Sequence, residues 1–225
     1  MIKPDTSNKD DLTQLLSRKA FLEKFPHALK QARADHQEKP LSMALIDIDY
    51  FKAINDQHGH VTGDNVLVGV AGVIQAHAGE QALLGRYGGD EFVALFPGSE
   101  REQVFLILEQ VRQETERLEV IAEDGQKIDG IHISAGVASF PLDGRTENEL
   151  FRKADHALYR AKASGRNQIR LAFEEKMVPK TSHYTQIQLE RLSKLAEERG
   201  VSEADLLREA MDDFLTKYGV NDIET

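Results

Sequence analysis

Two glycines followed directly by two carboxylates stand at residues 86–92, which read Arg-Tyr-Gly-Gly-Asp-Glu-Phe. Gly88 and Gly89 permit positive φ at the tip of a hairpin and let a ligand approach the backbone closely. Neighbours on an extended strand point to opposite faces, but at a turn they can diverge less. One of Asp90 and Glu91 can then hold a metal ion while the other faces a reacting hydroxyl. The alternative is a hairpin whose acidic tip is exposed for solubility.

A second pair of carboxylates, Asp47 and Asp49, ends the apolar run that begins at Leu41. A period of two puts both on one side of a strand. Carboxylate oxygens are hard ligands that suit Mg²⁺, which also binds substrate phosphates. Two like charges this close are unfavourable unless a cation or hydrogen-bond donors offset them. A metal-bearing strand beside an acidic hairpin suits nucleotidyl transfer, whereas the alternative is a pair of turn or cap residues.

Two further groups of polar residues could bind a nucleotide. Asn55 and Asp64 together can recognise guanine, because a carboxylate accepts from N1–H and the amino group while an amide meets O6 or N7. The alternative is ordinary capping by both residues around a glycine loop. Lys162 and Arg166 place two cations near a helix end, where they can hold phosphates or complement the helix dipole.

Hydrophobic periodicity predicts the elements that would position these residues. Strands are predicted at 41–49 and 131–137, with a hairpin over 83–96. Helical spacing is found over 12–25, 66–74, 104–118 and 150–161. Helices interleaved with strands indicate an α/β fold with a mixed sheet.

The composition restricts the class of protein. The 225 residues carry a net charge of −10, which argues against a general nucleic-acid or membrane-surface role. A triphosphate site must therefore collect its positive charge locally. The absence of cysteine excludes disulfides and thiolate metal sites. No signal peptide is visible, and the run from Val66 to Ala76 is too short to span a bilayer. We expect a soluble cytoplasmic protein without membrane contact.

Taken in order, these stretches resemble the GGDEF family of diguanylate cyclases over residues 10–170. Residues 10–15, Asp-Asp-Leu-Thr-Gln-Leu, look like the family's entry motif, and residues 155–162, Asp-His-Ala-Leu-Tyr-Arg-Ala-Lys, match as well. The resemblance implies a fold like the nucleotidyl cyclase and polymerase palm, with flanking helices and the motif on a central hairpin. It implies that two domains face each other, each presenting one GTP, and join them into cyclic di-GMP.

The resemblance also implies a metal site. Mg²⁺ or Mn²⁺, two ions per active site, would be bound by Asp47, the Ile48 carbonyl, Asp90 and Glu91. Asp47, Asp90 and Glu91 would form the catalytic set. Glu91 would assist the attacking 3′-hydroxyl, either directly or through metal.

The remaining implied contacts concern the GTP itself. Asn55 and Asp64 would contact guanine, and Gly88 and Gly89 would leave room for the nucleotide. The groups that would contact the phosphates are the backbone amides near Tyr50 and Phe51 and the side chains of Lys52, Lys162 and Arg166.

The chain departs from the family pattern at a few positions. Gln14 stands where glycine is usual and Ser17 where asparagine is usual, and only local changes are expected there. An Arg-x-x-Asp pair that serves product inhibition in many members is replaced by Gly79 and Ala82, so this site is predicted to be absent. The metal and guanine positions are intact, which argues against a degenerate domain, and Asp64 favours guanine over a mixed adenine–guanine product.

A separate short module follows a predicted linker that contains Pro179. A strand over residues 180–185 and two helices separated by Gly200, with Ser202 as N-cap, resemble the ribbon-helix-helix family. That family is an intertwined dimer whose paired strands often enter the DNA major groove. From Lys176 to Thr225, seven Lys and Arg against ten Asp and Glu give a net charge of −3 and little phosphate attraction. The module therefore predicts a homodimer first, with DNA contact less favoured; the alternative is a plain helical hairpin.

The predicted organisation is a flexible N-terminus at 1–9, a cyclase domain at 10–173, a linker at 174–179, the module at 180–218 and a tail at 219–225. Two other functions compete with the enzyme. One is a catalytically silent nucleotide-binding module that signals through the tail. This alternative is disfavoured because Asp47, Asp90 and Glu91 are intact. The other is a transcription regulator whose DNA affinity responds to GTP or cyclic di-GMP, which the acidity of the tail disfavours.

Overall fold

The computed structural model describes residues 8–33, 38–123, 125–172, 181–199 and 202–218. The chain divides into two compact units, Met1–Glu174 and Glu175–Thr225, which are described separately below. Most of the predicted flexible N-terminus, the linker with Pro179, Lys180, Gly200 and the predicted tail lie outside the described residues. None of the helices in the described ranges has the length and apolar character needed to cross a membrane, and a cytoplasmic location stays a prediction.

The first unit alternates helices with strands. Its helices are α1 (Arg18–Arg33), α2 (Phe51–His58), α3 (His60–Ala78), α4 (Arg101–Glu116) and α5 (Glu147–Ala163). Its strands are β1 (Leu41–Ile48), β2 (Leu83–Arg86), β3 (Glu91–Pro97), β4 (Val120–Ile121), β5 (Lys127–Ile128), β6 (Ile133–Phe140) and β7 (Ile169–Leu171). The predicted hairpin is confirmed as β2 and β3, joined across the two glycines.

The helix expected from Leu12 onwards begins only at Arg18. Residues 10–16 instead form a turn that is tied to the sheet, because Leu16 donates to the Leu84 carbonyl at 2.9 Å and accepts from the Arg86 N–H at 2.9 Å. Ser17 directly precedes the helix and caps its first turn, since the Ser17 hydroxyl accepts from the Ala20 N–H at 3.3 Å. The apolar residues before Ser17 follow helical spacing without being helical.

Five strands form one mixed sheet in the order β2-β3-β1-β6-β7. The β6–β7 pair is parallel and the other pairs are antiparallel. Strands β4 and β5 form a separate two-stranded ribbon. The predicted fold class, a palm-like mixed sheet with flanking helices, is confirmed.

Strand β1 lies at the centre of the sheet and is buried along its whole length, which explains its near-continuous apolar sequence. Ala44, Ile46 and Ile48 face a core that also contains Val66 of α3 and Val104 of α4. The alternate residues Met43 and Leu45 face a second core with α1 and α5. Because side chains alternate along a strand, Asp47 lies on the α5 side.

Helix α5 packs unusually close to the sheet at Gly136 of β6. A Cβ atom at this position would lie 2.0 Å from the Ala154 carbonyl oxygen and 2.3 Å from the Leu158 nitrogen. Only glycine fits between the strand and this helix backbone. The close approach sets the distance from the end of α5 to the strand that carries Asp47.

The second unit contains α6 (Gln186–Arg199) and α7 (Glu203–Lys217), which contact each other. Within the described part of this unit, residues 181–185 are not paired in a strand. The strand predicted over residues 180–185 is therefore not seen in the described part of this unit, and Lys180 lies outside it. Ala196 and Leu206 are buried, whereas Ile187, Met211 and Phe214 remain more than half exposed.

Candidate active site

The four residues predicted to bind metal lie together where β1 ends beside the β2–β3 hairpin. Asp47 is the register partner of Glu91 in the antiparallel ladder. The Ile48 N–H donates to the Asp90 carbonyl oxygen at 3.3 Å. Asp47 is 6% exposed, whereas Asp90 and Glu91 are half-buried. Asp47 and Glu91, as directly opposed residues, point to the same face of the sheet, and Asp47 is the more buried of the two.

The hairpin tip is held by hydrogen bonds that run from one arm to the other. The N–H groups of Tyr87 and Gly88 donate to the Glu91 carbonyl oxygen at 2.8 and 3.3 Å. A Cβ atom on Gly88 would lie 2.7 Å from the Glu91 carboxylate, so glycine is needed for Glu91 to fold back over the tip. Gly89 has open space around it, as expected of a residue that a ligand can approach. Neither Gly88 nor Gly89 has a positive φ, so the expectation that these glycines serve a left-handed turn is wrong, and the space that they leave is what the tip requires.

Arg86 fixes the same tip from outside, a role that sequence reasoning did not assign. Its guanidinium donates to the Gly89 carbonyl oxygen from Nε at 3.2 Å and from NH2 at 2.8 Å. It also pairs with Asp10 of the entry motif at 3.3 Å. Partial burial disfavours ionisation of Asp10, but hydrogen bonds from Thr13 and the charge of Arg86 together hold its pKa below the ordinary value. The entry motif is thus an anchor for the hairpin.

Lys162, in the last turn of α5, forms an ion pair with Asp47 at 2.8 Å. Burial nevertheless raises the pKa of Asp47 to about 6; Lys162 opposes the rise, and the negative charges of Asp90 and Glu91 add to it. Lys162 therefore does more than complement the helix dipole. It supplies positive charge at the point where three carboxylates converge.

The chemistry of these donors fits a hard divalent cation, because all of them are oxygens and their mutual repulsion calls for positive charge. Over the described ranges, however, no group of three or more His, Cys, Asp or Glu side chains is arranged to hold a metal ion. One oxygen of Asp47 is bonded to Lys162 instead. The predicted metal residues are thus adjacent without forming a chelating set.

Asp49 proves different from Asp47, although both follow the same strand. Its two carboxylate oxygens accept from the Ser134 hydroxyl at 2.8 and 3.1 Å, and one of them also accepts from the Asn167 N–H at 2.9 Å. Asp49 therefore joins β1 to β6 and to the loop after α5. For this residue, the interpretation as a turn carboxylate is the better one.

The two residues predicted to recognise guanine lie inside helices and cap neither of them. Asn55 is within α2 and Asp64 within α3, while Tyr50 and Gly59 occupy the N-cap positions without side-chain cap bonds. A Cβ atom on Gly63 would lie 1.9 Å from the Asn55 side-chain oxygen. Gly63, the residue before Asp64, therefore allows the Asn55 amide to lie against α3, and the capping alternative does not hold.

The predicted phosphate-binding residues fall at the start of α2 and the end of α5. Tyr50 has a left-handed backbone with φ of 56° and leads into the first turn of α2, where Lys52 is exposed. The Arg166 guanidinium lies over the Tyr50 ring at 4.6 Å, and its NH1 is 3.3 Å from the Tyr50 hydroxyl. Two separate segments thus meet through a cation–π contact.

The surface that would carry the product-inhibition pair lies at the end of α3. Gly79, with φ of 81°, is exposed and ends this helix, and Ala82 precedes β2. Neither residue brings a charge to this surface. The absence of a product-inhibition site stays a prediction.

The sheet order, the flanking helices and the acidic hairpin define a palm-like α/β domain of the nucleotidyl cyclase type. The family model described as "Diguanylate cyclase, GGDEF domain" matches residues 7–168, and a ribbon-helix-helix domain model matches residues 177–219. The chain belongs to the GGDEF diguanylate cyclase family.

Curated relatives agree with this family. A diguanylate cyclase from Vibrio cholerae is 37% identical over 161 residues, which are 72% of this chain and 48% of the relative. The response regulator PleD from Caulobacter vibrioides is 35% identical over 160 residues, 71% of this chain and 35% of PleD. The chain spans less than half the length of these relatives.

Solved structures agree as well. The GGDEF domain of DgcB from Caulobacter crescentus, in complex with c-di-GMP, has a TM-score of 0.68 at 34% identity and covers 74% of this chain and 96% of its own. The active GGEEF domain of a diguanylate cyclase from Vibrio cholerae has a TM-score of 0.65 at 34% identity, covering 72% of this chain and all of its own.

Proposed function

We propose that this chain condenses two molecules of GTP into cyclic di-GMP. Each 3′-hydroxyl attacks the α-phosphorus of the other nucleotide, loses its proton and forms a new P–O bond, and each attack expels one pyrophosphate. One cyclic product and two pyrophosphates result. The observation that carries the proposal is that Asp47 at the end of β1 lies beside Asp90 and Glu91 of the hairpin. Strand β1 leads directly into α2, which carries Asn55.

The proposed metal site consists of Asp47, the Ile48 carbonyl, Asp90 and Glu91, with two ions of Mg²⁺ or Mn²⁺. Bound ions would offset the charge of the triphosphate and favour loss of the 3′-hydroxyl proton. Glu91, on the accessible hairpin, would assist this hydroxyl as it gives up its proton. Asp47 would contribute the buried carboxylate, whose ionisation is favoured by any positive charge placed beside it.

The GTP would be held at its two ends by different segments. The Asn55 amide and the Asp64 carboxylate would read the guanine edge. The positive charge that an acidic chain must supply locally would come from Lys52, Lys162 and Arg166. The free N–H groups that begin α2, near Tyr50 and Phe51, would add donors for the phosphates. Gly88 and Gly89 would leave space above the hairpin.

The reaction would need two copies of the chain, because one site holds only one of the two nucleotides. We propose that the C-terminal unit forms this homodimer. Its helices leave Ile187 62%, Met211 57% and Phe214 57% exposed, and an apolar surface of this kind is stabilised when a second copy covers it. DNA contact is a less favoured role for this unit, because its net charge offers little attraction for phosphates.

Purified protein with GTP and Mg²⁺ tests the proposal through two variants. Asp90→Ala and Glu91→Ala should each abolish cyclic di-GMP formation, since the lost charge stabilisation is worth several kcal/mol in the transition state. Their thermal unfolding should remain close to that of the wild type. Glu114→Ala is the matched control, because it removes only a surface ion pair with Arg117, which contributes little.

Near-normal turnover in Asp90→Ala or Glu91→Ala would refute the assignment of the hairpin. A wild-type protein that binds GTP tightly but releases no pyrophosphate would instead favour a catalytically silent nucleotide-binding module.

A further inference from the structure

The loop that follows α5 contains two consecutive residues with left-handed backbones. Arg166 has φ of 63° and Asn167 has φ of 48°. Asparagine adopts this conformation readily, but at Arg166 it is unfavourable and persists only where the surroundings hold it in place. Neither residue is glycine, so contacts from elsewhere in the fold must fix this loop.

Asn167 is fixed from two sides. Its N–H donates to Asp49 Oδ2 at 2.9 Å. Its side-chain oxygen accepts from Arg112 NH1 of α4 at 3.0 Å. The preceding residue is tied to α5, because the Arg166 N–H donates to the Ala161 carbonyl oxygen at 3.0 Å. The loop is therefore held between a strand end and two helices.

Asp49 is the buried member of this arrangement, with 4% of its surface exposed. Its carboxylate also accepts from the Ser134 hydroxyl, and its N–H donates to the His132 carbonyl oxygen at 2.9 Å. A buried carboxylate that accepts from fixed donors is a rigid anchor. Asp49 stands two residues after Asp47, so one strand end serves both the carboxylate cluster and the loop.

What the loop presents is the Arg166 guanidinium. It stacks on the Tyr50 ring and approaches the Tyr50 hydroxyl, at the entry to α2. A guanidinium held in this way is preorganised, and little side-chain freedom is lost when it binds a phosphate. Its direction depends on the backbone of Arg166 and Asn167, which Asp49 fixes.

We propose that Asp49 is a positioning residue that acts through Asn167 to aim Arg166 at the phosphates of GTP. The inference rests on the proposed function for the identity of the nucleotide. Both carboxylate oxygens of Asp49 accept hydrogen bonds from Ser134 or Asn167, so Asp49 would act on the nucleotide through the loop and not as a ligand. Its effect on the reaction passes through Arg166 alone, and this distinguishes it from a residue that merely stabilises the fold.

A double-mutant cycle with Asp49→Asn and Arg166→Ala tests this coupling. The amide oxygen can still accept from Ser134 and the Asn167 N–H, but it lacks the carboxylate charge that strengthens both hydrogen bonds, so the loop should loosen. Each single variant should raise the KM for GTP about tenfold, the size expected for one charge-assisted contact, with a smaller change in kcat. The double variant should be no worse than Arg166→Ala. A further tenfold loss in the double variant would overturn the proposal.

Asp143→Asn is the matched control for a structural carboxylate. The side chain of Asp143 is only 2% exposed and accepts from the Ser139 N–H at 2.8 Å, but it lies at the opposite end of β6. This variant should lower the unfolding temperature and leave the KM for GTP unchanged. If Asp49→Asn does not fold, Arg112→Met removes the other contact to Asn167, and its rise in KM should likewise vanish in the Arg166→Ala background.

The same cycle is measured by equilibrium binding of a non-hydrolysable GTP analogue. If the wild-type protein makes cyclic di-GMP but the binding losses of the two single variants add up in the double variant, only the role of Asp49 is contradicted. A wild type that makes no cyclic di-GMP would contradict the proposed function, while non-additive binding losses would still support the coupling between Asp49 and Arg166.

Discussion

Gly63→Ala should weaken GTP binding without unfolding the protein. The new methyl group would lie 1.9 Å from the Asn55 side-chain oxygen and 2.9 Å from its Cγ. Relief of this overlap requires the amide to move by about 1 Å, which is enough to break a hydrogen bond of ordinary length. Loss of one guanine contact costs about 1–2 kcal/mol, which corresponds to a roughly 5- to 30-fold rise in the KM for GTP.

The folded state should tolerate the same change. The clash is with a side chain that can rotate, and replacement of a helical glycine by alanine is itself favourable by about 0.5–1 kcal/mol. Gly72 provides the matched control, because it lies in the same helix and its added methyl group would meet nothing within 4 Å. Gly72→Ala should raise the free energy of unfolding slightly and leave the KM unchanged.

Steady-state kinetics and chemical denaturation of the two variants separate the effects. A folded Gly63→Ala protein with the wild-type KM would refute the assignment of Asn55 to guanine. An equal rise in KM for Gly72→Ala would show that α3, rather than the Asn55 amide, is responsible.

Four other expectations follow from the same structure. Because burial raises the pKa of Asp47 to about 6 and a metal ligand must be deprotonated, Mg²⁺ affinity should fall as the pH decreases through about 6; a calorimetric titration with constant affinity from about pH 5 to 8 would contradict this. Arg86→Gln should lower kcat more than it changes KM and cost about 1–2 kcal/mol of stability, since the hairpin tip loses its clamp; unchanged kcat with intact folding would show that the clamp is dispensable. Cyclic di-GMP should inhibit weakly at the surface of Gly79 and Ala82, and strong noncompetitive inhibition that disappears on mutation of this surface would argue otherwise. Removal of the chain from Lys180 onwards should give mostly monomer with low activity that recovers at high protein concentration, because a tethered dimer maintains an effective concentration of about millimolar; a truncated protein that stays dimeric by light scattering and keeps its full specific activity on dilution would leave DNA binding as the leading role of the tail.

The hairpin and the central strand could be predicted because their signals are local. Gly88 and Gly89 between two apolar segments specify a turn, and the apolar run that ends at Asp47 specifies a buried strand. The distinct roles of Asp47 and Asp49 could not be predicted in this way. The two residues that donate hydrogen bonds to the Asp49 carboxylate are Ser134 and Asn167. They are 85 and 118 positions away along the chain.

Two other features depend on contacts that a linear pattern does not contain. The apolar residues after Leu12 have helical spacing, but tertiary hydrogen bonds from Leu16 to β2 keep them out of α1. Residues 181–185 were predicted to be a strand, and they find no partner among the residues described in their own chain. A strand forms only where its backbone groups find hydrogen-bond partners on a neighbouring strand, which the pattern of one segment does not supply.

The most direct test of the central claim is the mass balance of the wild-type reaction. Purified protein with GTP and Mg²⁺ should yield cyclic di-GMP, identified by mass, with two pyrophosphates for each molecule formed. Chelation of the metal, or replacement of GTP by 3′-deoxy-GTP, should abolish both products. Release of phosphate with formation of GDP, or pyrophosphate release from 3′-deoxy-GTP at the same rate, would contradict attack by the 3′-hydroxyl and the function proposed for this site.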